Sequence, residues 1–325
     1  GENMDPLSAL LGLLRVTNYH SATLSLGGNW AFDFPQRGGI KFTAVVKGSC
    51  LLKVDGESTL QRLHQGDCFL MTRGVPFQLY SDTSLPPMDS NDYIVHRGER
   101  EIALHYNGDD VQLVGGRFEF TGMPARVLLE MLPPVVHVHG ESLQASALRW
   151  LLERLSQELH ETKYGRSLIA EHYAHIMLVE VLRGHLASRS HHDIGWFSAL
   201  ADKQLGAAIA AVHNALSFPW TVDNMANRAN MSRSAFAHRF KDVVGLSPME
   251  YLTRWRMLQA CDMLKNGELS ISTIAFELGY QSESAFSNAF KRIMTLSPRH
   301  YQRLPATGMR ILPPISLTAS PDMHQ

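Results

Sequence analysis

The last third of the sequence contains two copies of one segment, and this repeat is the strongest constraint on the fold. Ten residues recur at a constant offset of 50 positions. Ten identities at a single offset identify two copies of one supersecondary unit. In the first copy these residues are Ser232, Ser234, Ala235, Phe236, Phe240, Lys241, Leu246, Ser247, Pro248 and Tyr251, and in the second they are Ser282, Ser284, Ala285, Phe286, Phe290, Lys291, Leu296, Ser297, Pro298 and Tyr301.

Each copy has the pattern of a helix, a short turn and a second helix. In the first copy an apolar face with helical spacing begins at Val222 and stops at Asn230. Ser232 is then placed to cap a second helix, and Gly245 is placed to end it. Two short helices across a three- or four-residue turn form a helix-turn-helix unit. The chain is therefore predicted to carry two such units.

The second helix of each unit presents polar side chains outward. In helix-turn-helix proteins the early residues of this helix face base edges, and flanking cations reach phosphate oxygens. Any one of these residues could belong to an ordinary solvated face, but the duplicated caps and phenylalanines favour nucleic-acid binding. The predicted base contacts are Ser234, Ala237, His238, Ser284, Ala285, Ser287 and Asn288. The predicted phosphate contacts are Ser232, Arg233, Arg239, Lys241, Ser282, Lys291 and Arg292.

A helix from Met249 to Leu264 is predicted between the units, because this stretch lacks Pro and Gly and is followed by Asn266-Gly267. A helix of roughly 16 residues is about 24 Å long. It can hold two recognition helices about one DNA turn apart, on one face of a duplex. Arg254 and Arg256 are predicted to be phosphate or surface contacts on this helix.

This region resembles the DNA-binding domain of the AraC/XylS family of bacterial transcription regulators. The resemblance implies a regulator that binds double-stranded DNA and contacts RNA polymerase. Where many members carry Arg in each recognition helix, this chain has His238 and Asn288, so the operator sequence cannot be taken from relatives. The matching motifs are Ala226 with Met231-Ser-Arg-Ser-Ala-Phe236, Ile274-Ala275-x2-Leu278-Gly279-Tyr280-x-Ser282, Phe290-Lys291 and Leu296-Ser297-Pro298-x2-Tyr301.

Charge is distributed unevenly along the 325 residues. Thr221–Leu304 contains 11 Lys and Arg against 7 Asp and Glu, which leaves 19 basic and 24 acidic residues elsewhere. A basic region beside an acidic one fits DNA binding at one end of the chain. The three cysteines lack CxxC spacing, which favours neither a disulfide framework nor a zinc site. No apolar run suits a membrane span and no secretion signal is apparent, so we expect no membrane partner and a cytoplasmic location.

Residues 22–138 have a different character. Short β-rich runs separated by Gly and Asp turns predict a sandwich or barrel, and specifically a jelly roll. The stretch from Val45 to Leu70, with its Gly66-Asp67 turn, resembles the cupin sensor domain that precedes the DNA-binding domain in many AraC-type regulators. The predicted strands are Thr23–Leu26, Phe42–Val46, Cys50–Val54, Cys68–Met71, Phe77–Tyr80, Ile102–Tyr106, Gln112–Val114 and Arg117–Phe120.

Many cupins bind a metal through three histidines and a glutamate, but this chain lacks that set. The resemblance puts Phe77 at one histidine position, and Val45–Leu52 contains neither His nor Glu. No catalytic, metal or cofactor residue is therefore assigned. His137-x-His139 could bind a metal with a third partner, although two surface histidines at a strand end is the favoured interpretation.

A barrel without a metal can still hold a small molecule. Basic side chains in this region would suit an anionic effector. Cys50 and Cys68 could sense oxidants, but two buried structural cysteines are the favoured interpretation. The candidate ligand-binding residues are Arg37, Lys41, Arg73, Gln78, His96, Arg97, Arg100 and His105.

Glu141–Ser188 is predicted to be a helical hairpin. Its apolar stripes are Leu148, Leu151, Leu152, Leu155 and Leu159, then Ile169, Tyr173, Ile176, Met177, Glu180 and Val181. The family resemblance implies that such helices pair between subunits, so a homodimer interface is expected here. Packing on the chain's own barrel is the alternative.

The predicted fold class is α+β multidomain. It combines a cupin-like β jelly-roll barrel (1–140), a helical hairpin with a linker (141–190), an all-α double helix-turn-helix domain (195–304) and a flexible tail (305–325). The expected function is a ligand-responsive, sequence-specific DNA-binding transcription regulator without enzymatic activity. The alternatives are a cupin enzyme with an appended DNA-binding module, and a constitutive DNA binder whose barrel only dimerises.

Overall fold

The computed structural model describes residues 5–120, 129, 134–161, 163–187 and 196–305. The chain divides into two compact units. The sheet unit contains Val16–Phe120 and Pro133–Ser188, and the helical unit contains Gly1–Arg15, Thr121–Leu132 and Arg189–Gln325. This division differs from the predicted boundary at residue 140, because the hairpin groups with the sheets and residues 1–15 group with the helices. The predicted linker at 188–194 and the tail at 306–325 lie outside the described residues.

The sheet unit consists of two sheets and a helical hairpin. One sheet has seven strands in the order β12-β6-β3-β11-β1-β10-β9, and the other has five in the order β5-β4-β7-β2-β8. The bounds are β1 Val16–Leu26, β2 Ala31–Phe34, β3 Ile40–Lys47, β4 Cys50–Val54, β5 Gln61–Leu63, β6 Cys68–Met71, β7 Phe77–Tyr80, β8 Met88–Asp89, β9 Ile94–His96, β10 Glu101–Tyr106, β11 Val111–Phe120 and β12 Val135–Val138.

The core between the sheets is built from alternating side chains of both. Trp30, Phe32 and Phe69 are almost completely buried in it. Phe34 stacks on Phe77 with ring centroids 4.7 Å apart, so the position that resembles a cupin histidine is occupied by a packed aromatic ring. Each such ring buries on the order of 150–250 Å². The core therefore stabilises the sheets through apolar contact.

Strand β11 is continuous where the sequence predicted two separate strands. Gly115 and Gly116 look like a break, but Gly115 pairs with Thr43 on one side and Ala22 on the other. A Cβ on Gly115 would lie 2.8 Å from the Phe42 carbonyl oxygen. The glycines therefore allow close packing within the sheet and do not form a turn.

The hairpin consists of α2 (Leu143–His160) and α3 (Arg166–Ala187). Leu148, Leu152 and Leu155 of α2 are buried, and α2 packs on β1, β3 and β11. The predicted stripe on α2 therefore faces the chain's own sheet.

The predicted stripe on α3 is only partly correct. Met177 and Val181 are buried, but Ile169 and Ile176 are exposed. The buried face is instead completed by small residues such as Ala170 and Ala174, which a search for large apolar side chains overlooks.

The helical unit contains α1 (Pro6–Leu11), α4 (Trp196–Ala201), α5 (Lys203–Asn214), α6 (Val222–Arg228), α7 (Arg233–Val244), α8 (Pro248–Asn266), α9 (Ile271–Glu277), α10 (Glu283–Met294) and α11 (Pro298–Arg303). Leu205, Ile209 and Val212 form the buried face of α5. The linking helix α8 is 19 residues long, which corresponds to about 29 Å. Among the described helices of both units, none is long and apolar enough to cross a membrane.

Candidate nucleic-acid interface and effector cavity

The two recognition helices, α7 and α10, begin with the same cap. Ser232 accepts a hydrogen bond from the Ala235 N–H at 3.3 Å, and Ser282 accepts one from the Ala285 N–H at 3.1 Å. These bonds satisfy N–H groups that would otherwise lack partners in the first helical turn. Both serines remain exposed.

The two turns differ in length by one residue. Met231 N–H bonds to the Ala226 carbonyl and Tyr280 N–H to the Ala275 carbonyl, each at 3.0 Å, so these pairs correspond at an offset of 49. The offset is 50 from Ser232 onward, because Gln281 is an additional residue in the second turn. Comparing the first helices at an offset of 49 would have revealed this insertion from sequence.

Both turns contain a residue with positive φ. Asn230 has a φ of 52° and Gly279 has a φ of 84°. A Cβ on Gly279 would lie 2.7 Å from both the Arg256 Nη2 atom and the Ser217 carbonyl oxygen. The second turn therefore requires glycine for space as well as for conformation.

Paired aromatic rings support each recognition helix from beneath. Phe236 and Phe240 have centroids 5.5 Å apart, and Phe240 contacts Tyr251 at 5.5 Å. In the second unit the corresponding rings are Phe286, Phe290 and Tyr301, with centroid distances of 5.8 and 5.6 Å. These rings fix which face of each helix points outward.

The outward face carries the predicted base-contact residues. Ser234, His238, Ser284, Ala285 and Asn288 are exposed, and Ala237 and Ser287 are half-buried. His238 Nε2 lies 3.1 Å from the Asp242 carboxylate one turn later. Lys241 and Lys291 are exposed on the same helices, and Arg233 lies 3.8 Å from Asp223 at the surface.

Within the sheet unit, a cavity of about 170 Å³ is lined by the cations Arg37, Lys41 and Arg117, by His20 and His96, and by Glu99, Glu119 and apolar neighbours. A smaller adjoining cavity shares three of these cations and adds Phe34, Ile94 and Leu104. The two cavities together therefore have a charged end beside an apolar end.

Lys41 is the most perturbed cation in this cavity. Its ammonium lies 4.9 Å from the Phe34 ring centroid and 4.6 Å from that of Phe77. Burial, reinforced by the positive charges of Arg117 and Arg37, lowers the pKa of Lys41 to about 7. Burial and the nearby Arg37 likewise lower the pKa of Arg117 to about 10. An anion bound among these groups would relieve both the lost hydration and the mutual repulsion.

The chain matches two family models, a cupin model over residues 5–187 and a helix-turn-helix domain model over residues 225–304. It is 43% identical over 302 residues to a putative AraC-like transcription regulator of Streptomyces lividans, covering 93% of this chain and 99% of that protein. The chain belongs to the AraC-like transcription regulators.

The chain is also similar to two further proteins. The regulator is 30% identical to the HTH-type transcriptional regulator AlkR of Acinetobacter baylyi, covering 92% of this chain and 99% of AlkR. It is also similar to the crystal structure of the DNA-binding domain of AdpA in complex with a target DNA. That likeness has 31% identity and a TM-score of 0.29, and covers 30% of this chain and 87% of that one.

Two predicted phosphate contacts of the regulator are engaged within the protein. Arg239 pairs with the Asp202 carboxylate and donates to the Gln204 amide oxygen at 2.8 Å. Arg292 donates to both carboxylate oxygens of Glu250, at 3.3 and 3.1 Å. One arginine of each recognition helix thus pairs with an acidic side chain of the preceding scaffold. The phosphate contacts of Arg239 and Arg292 stay predictions.

The structure corrects the predicted position of Arg256. It was predicted on the surface of α8, but it is buried. Its guanidinium donates to the carbonyl oxygens of Leu216 and Phe218, each at 2.9 Å, and lies 5.6 Å from the Tyr280 ring centroid. It therefore joins the segment before the first unit to the turn of the second.

The cavity gathers only some of the predicted ligand-binding residues. Arg37, Lys41 and His96 line it, whereas Arg97 and His105 line a separate surface depression. Gln78 donates to the Asp33 carboxylate at 2.6 Å, the Arg100 guanidinium lies 4.5 Å from the Tyr19 ring centroid, and Arg73 is exposed. Sequence reasoning missed His20 and Arg117; the isolated arginine in the apolar strand β11 was the available signal.

The cysteines do not favour redox sensing. Cys50, Cys68 and Cys261 are free and buried. Burial raises the pKa of the Cys50 and Cys68 thiols to about 12, so neither forms an appreciable amount of the reactive thiolate at neutral pH.

Proposed function

We propose that this transcription regulator reads two successive major grooves of its operator through α7 and α10. The observation that carries the proposal is the duplicated geometry: each recognition helix has the same serine cap, the same buried phenylalanine pair and the same exposed face. Exposed Ser and Asn side chains suit base edges, because Asn can bond adenine through two hydrogen bonds. The resulting complex would recruit or exclude RNA polymerase at promoters.

Footprinting on DNA upstream of the regulator's own and neighbouring genes tests this proposal at physiological salt. We expect two protected major-groove segments about one helical turn, ~34 Å, apart for each bound chain. Protection of a single segment would mean that α10 does not read bases. An absence of specific protection under all tested conditions would contradict the proposal as a whole.

The cavity of the sheet unit is proposed to bind a small anionic effector. At about 170 Å³ it is smaller than the roughly 300–1,000 Å³ of sites for drug-sized ligands. A small carboxylic acid fits best: its carboxylate would sit among Lys41, Arg37 and Arg117, and its apolar part would lie toward Phe34 and Leu104. The function proposed for the cavity is binding without chemical conversion of the effector.

Thermal-shift and calorimetric titrations with benzoate and hexanoate, each paired with its neutral amide, test this assignment. We expect the carboxylates, and not the amides, to raise the melting temperature, and Lys41→Met to reduce the difference without removing it, because Arg37 and Arg117 remain in the cavity. Equal behaviour of acid and amide would contradict an anionic site. Footprints that are identical with and without a bound carboxylate would favour a constitutive DNA binder.

A homodimer is proposed to form through the outer face of α3. Leu168, Ile169 and Ile176 are 60%, 37% and 45% exposed, although they are large and apolar. Burying such side chains against a second copy would be favourable, but each would contribute less than the roughly 1.5–3 kcal/mol of a complete burial, because each is already partly buried. Because the proposed target is DNA, a cytoplasmic location remains the expectation.

A further inference from the structure

Three side chains with metal-binding atoms meet at one end of the sheet unit. Asp67 precedes β6, and His137 and His139 lie in and just after β12; their ligand atoms all lie within 4.8 Å of one another. The antiparallel register, in which Val138 pairs with Cys68, brings these two chain segments together. A search of the described residues for three or more His, Cys, Asp or Glu side chains that could hold a metal ion finds this group.

The Asp67 carboxylate is held in place before any metal arrives. One of its oxygens accepts the Gly140 N–H at 2.8 Å, and the other accepts the His64 N–H at 2.9 Å. The side chain is only 7% exposed. Its orientation is therefore fixed by two backbone donors, one from its own turn and one from the segment that carries His137 and His139.

The spacing of the ligand atoms suits one small ion. Residues 137 and 139 alternate with Val138, so both imidazoles project from the same face of the extended chain. Their ring centroids are 4.5 Å apart and the rings are inclined by 45°. His137 Nε2 lies 3.1 Å from an Asp67 carboxylate oxygen. Two ligands at bond lengths of about 2.0 Å in a tetrahedral zinc site are about 3.3 Å apart. The His137–Asp67 pair already has this spacing, and the other ligand atoms, all within 4.8 Å, would move closer on binding.

We propose that Asp67, His137 and His139 form a binding site for a divalent transition-metal ion, with zinc as the best match. Two imidazole nitrogens and one carboxylate oxygen favour zinc, cobalt or nickel over magnesium and calcium, which take oxygen ligands. Three protein ligands leave a fourth position for water. The site is separate from the cationic cavity, whose lining contains none of these residues.

The position of the site gives the ion a structural role. The carbonyl oxygen of His139 accepts the Ser142 hydroxyl at 2.7 Å, and Ser142 caps α2. Arg149 of α2 reaches back to the Gly66 carbonyl oxygen at 2.6 Å. A bound ion would therefore fasten the β6 turn, the end of β12 and the start of the hairpin to one another.

Metal binding is tested on the full-length, chelator-treated protein, with Zn²⁺ alone as the probe and a chromophoric chelator as competitor. We expect one tightly bound equivalent, at least tenfold weaker binding in His139→Ala, and unchanged binding in His300→Ala, which removes an exposed histidine from the helical unit. Zn²⁺ should raise the melting temperature of the wild type and of His300→Ala, but not of His139→Ala. Because His139 is exposed, its variant is expected to fold, and circular dichroism checks this.

Cobalt substitution provides a spectroscopic readout. One equivalent of Co²⁺ should give the visible absorption of a tetrahedral or five-coordinate site in the wild type, and lose it in His139→Ala. A tenfold excess of Mg²⁺ should leave the spectrum unchanged. Failure to bind a stoichiometric equivalent, or equal binding by wild type and His139→Ala, would overturn the proposal and leave the Asp67–His137 contact as a turn anchor only. Neither readout depends on DNA or effector binding.

Discussion

Asn288 is the exposed amide on α10, one helical turn beyond Ser284. If it bonds a base edge, Asn288→Ala should weaken binding to the specific operator by about 1–3 kcal/mol and leave binding to random DNA almost unchanged. Lys291→Ala is the matched comparison on the same helix, since loss of a phosphate contact should weaken both kinds of binding alike. Titration on both DNAs at fixed salt measures this, and equal losses for Asn288→Ala would show that it reads no base.

Alanine substitutions at Gly279 and Gly245 allow the cost of backbone strain to be distinguished from the cost of a steric clash. Both glycines have the same φ of +84°, so the strain is the same at the two positions. Either →Ala change incurs the left-handed strain of roughly 1–2 kcal/mol. Only Gly279 also has heavy atoms 2.7 Å from its added Cβ, whereas Gly245 has none within 4 Å. Gly279→Ala should therefore lower the free energy of unfolding more than Gly245→Ala in denaturant titrations. Equal losses would argue against tight packing between Gly279 and Arg256.

The lowered pKa of Lys41 should make both the stability of the fold and the binding of the effector depend on pH. Its pKa is lowered to about 7 in the fold, from 10.5. Between about pH 7 and 10.5 the unfolded chain binds this proton and the folded chain does not, so this group's contribution to stability rises with pH. An anionic effector requires the protonated lysine, so its affinity should fall as pH rises above about 7.

Calorimetry with benzoate between pH 6 and 9 measures this effect. The cavity also contains Arg117, whose pKa of about 10 keeps it charged over this range, together with Arg37, His20, His96, Glu99 and Glu119. The decline should therefore disappear in Lys41→Met. A decline of the same size in that variant would assign the titration to another group.

At the scale of elements, the buried phenylalanine pairs hold each recognition helix on its scaffold. Phe236→Ala or Phe286→Ala should cost about 3–5 kcal/mol of stability of the helical unit, so lost DNA binding should accompany a lower melting temperature. Phe276→Ala is the control, because this ring is 58% exposed on α9. An unchanged melting curve for both buried variants would refute this account of the two units.

The helix-turn-helix elements were predictable because their constraints are local. The capping residues, the turn residues and the apolar residues with helical spacing all lie within a few positions of one another. The repeat contains each of these signals twice. The pairings of Arg239 and Arg292 were not predictable, because Asp202 and Glu250 lie 37 and 42 positions away in sequence.

In the sheet unit too, features set by local sequence were predictable, and features set by contacts between distant segments were not. Runs such as Cys50–Val54, Cys68–Met71 and Phe77–Tyr80 match observed strands residue for residue. The continuity of β11 through Gly115 depends on its contacts with Phe42 and Thr43, more than 70 positions earlier, and local turn chemistry suggested the opposite. Likewise, Asp67 could not be linked to His137 before the pairing of β6 with β12 was known.

At the scale of the whole molecule, the exposed face of α3 is the proposed surface for pairing two copies of the chain. If α3 pairs with its counterpart, Ile176→Lys should place an unpaired cation in an apolar interface and convert the dimer to a monomer. Val95→Lys is the matched control, because Val95 is 60% exposed on β9, away from the hairpin. Sedimentation equilibrium on both variants measures the effect.

Footprinting of the dimer and of the monomeric variant tests how the number of chains affects DNA binding. A wild-type dimer should protect two pairs of major-groove segments, and the Ile176→Lys monomer should protect one pair at higher protein concentration. If the monomer protects one pair of segments and not the other, each chain reads its own pair of major grooves, and the second pair in the wild type comes from the second chain of the dimer. If Ile176→Lys stays dimeric, the interface lies elsewhere, and the exposed side chains of α3 require another partner.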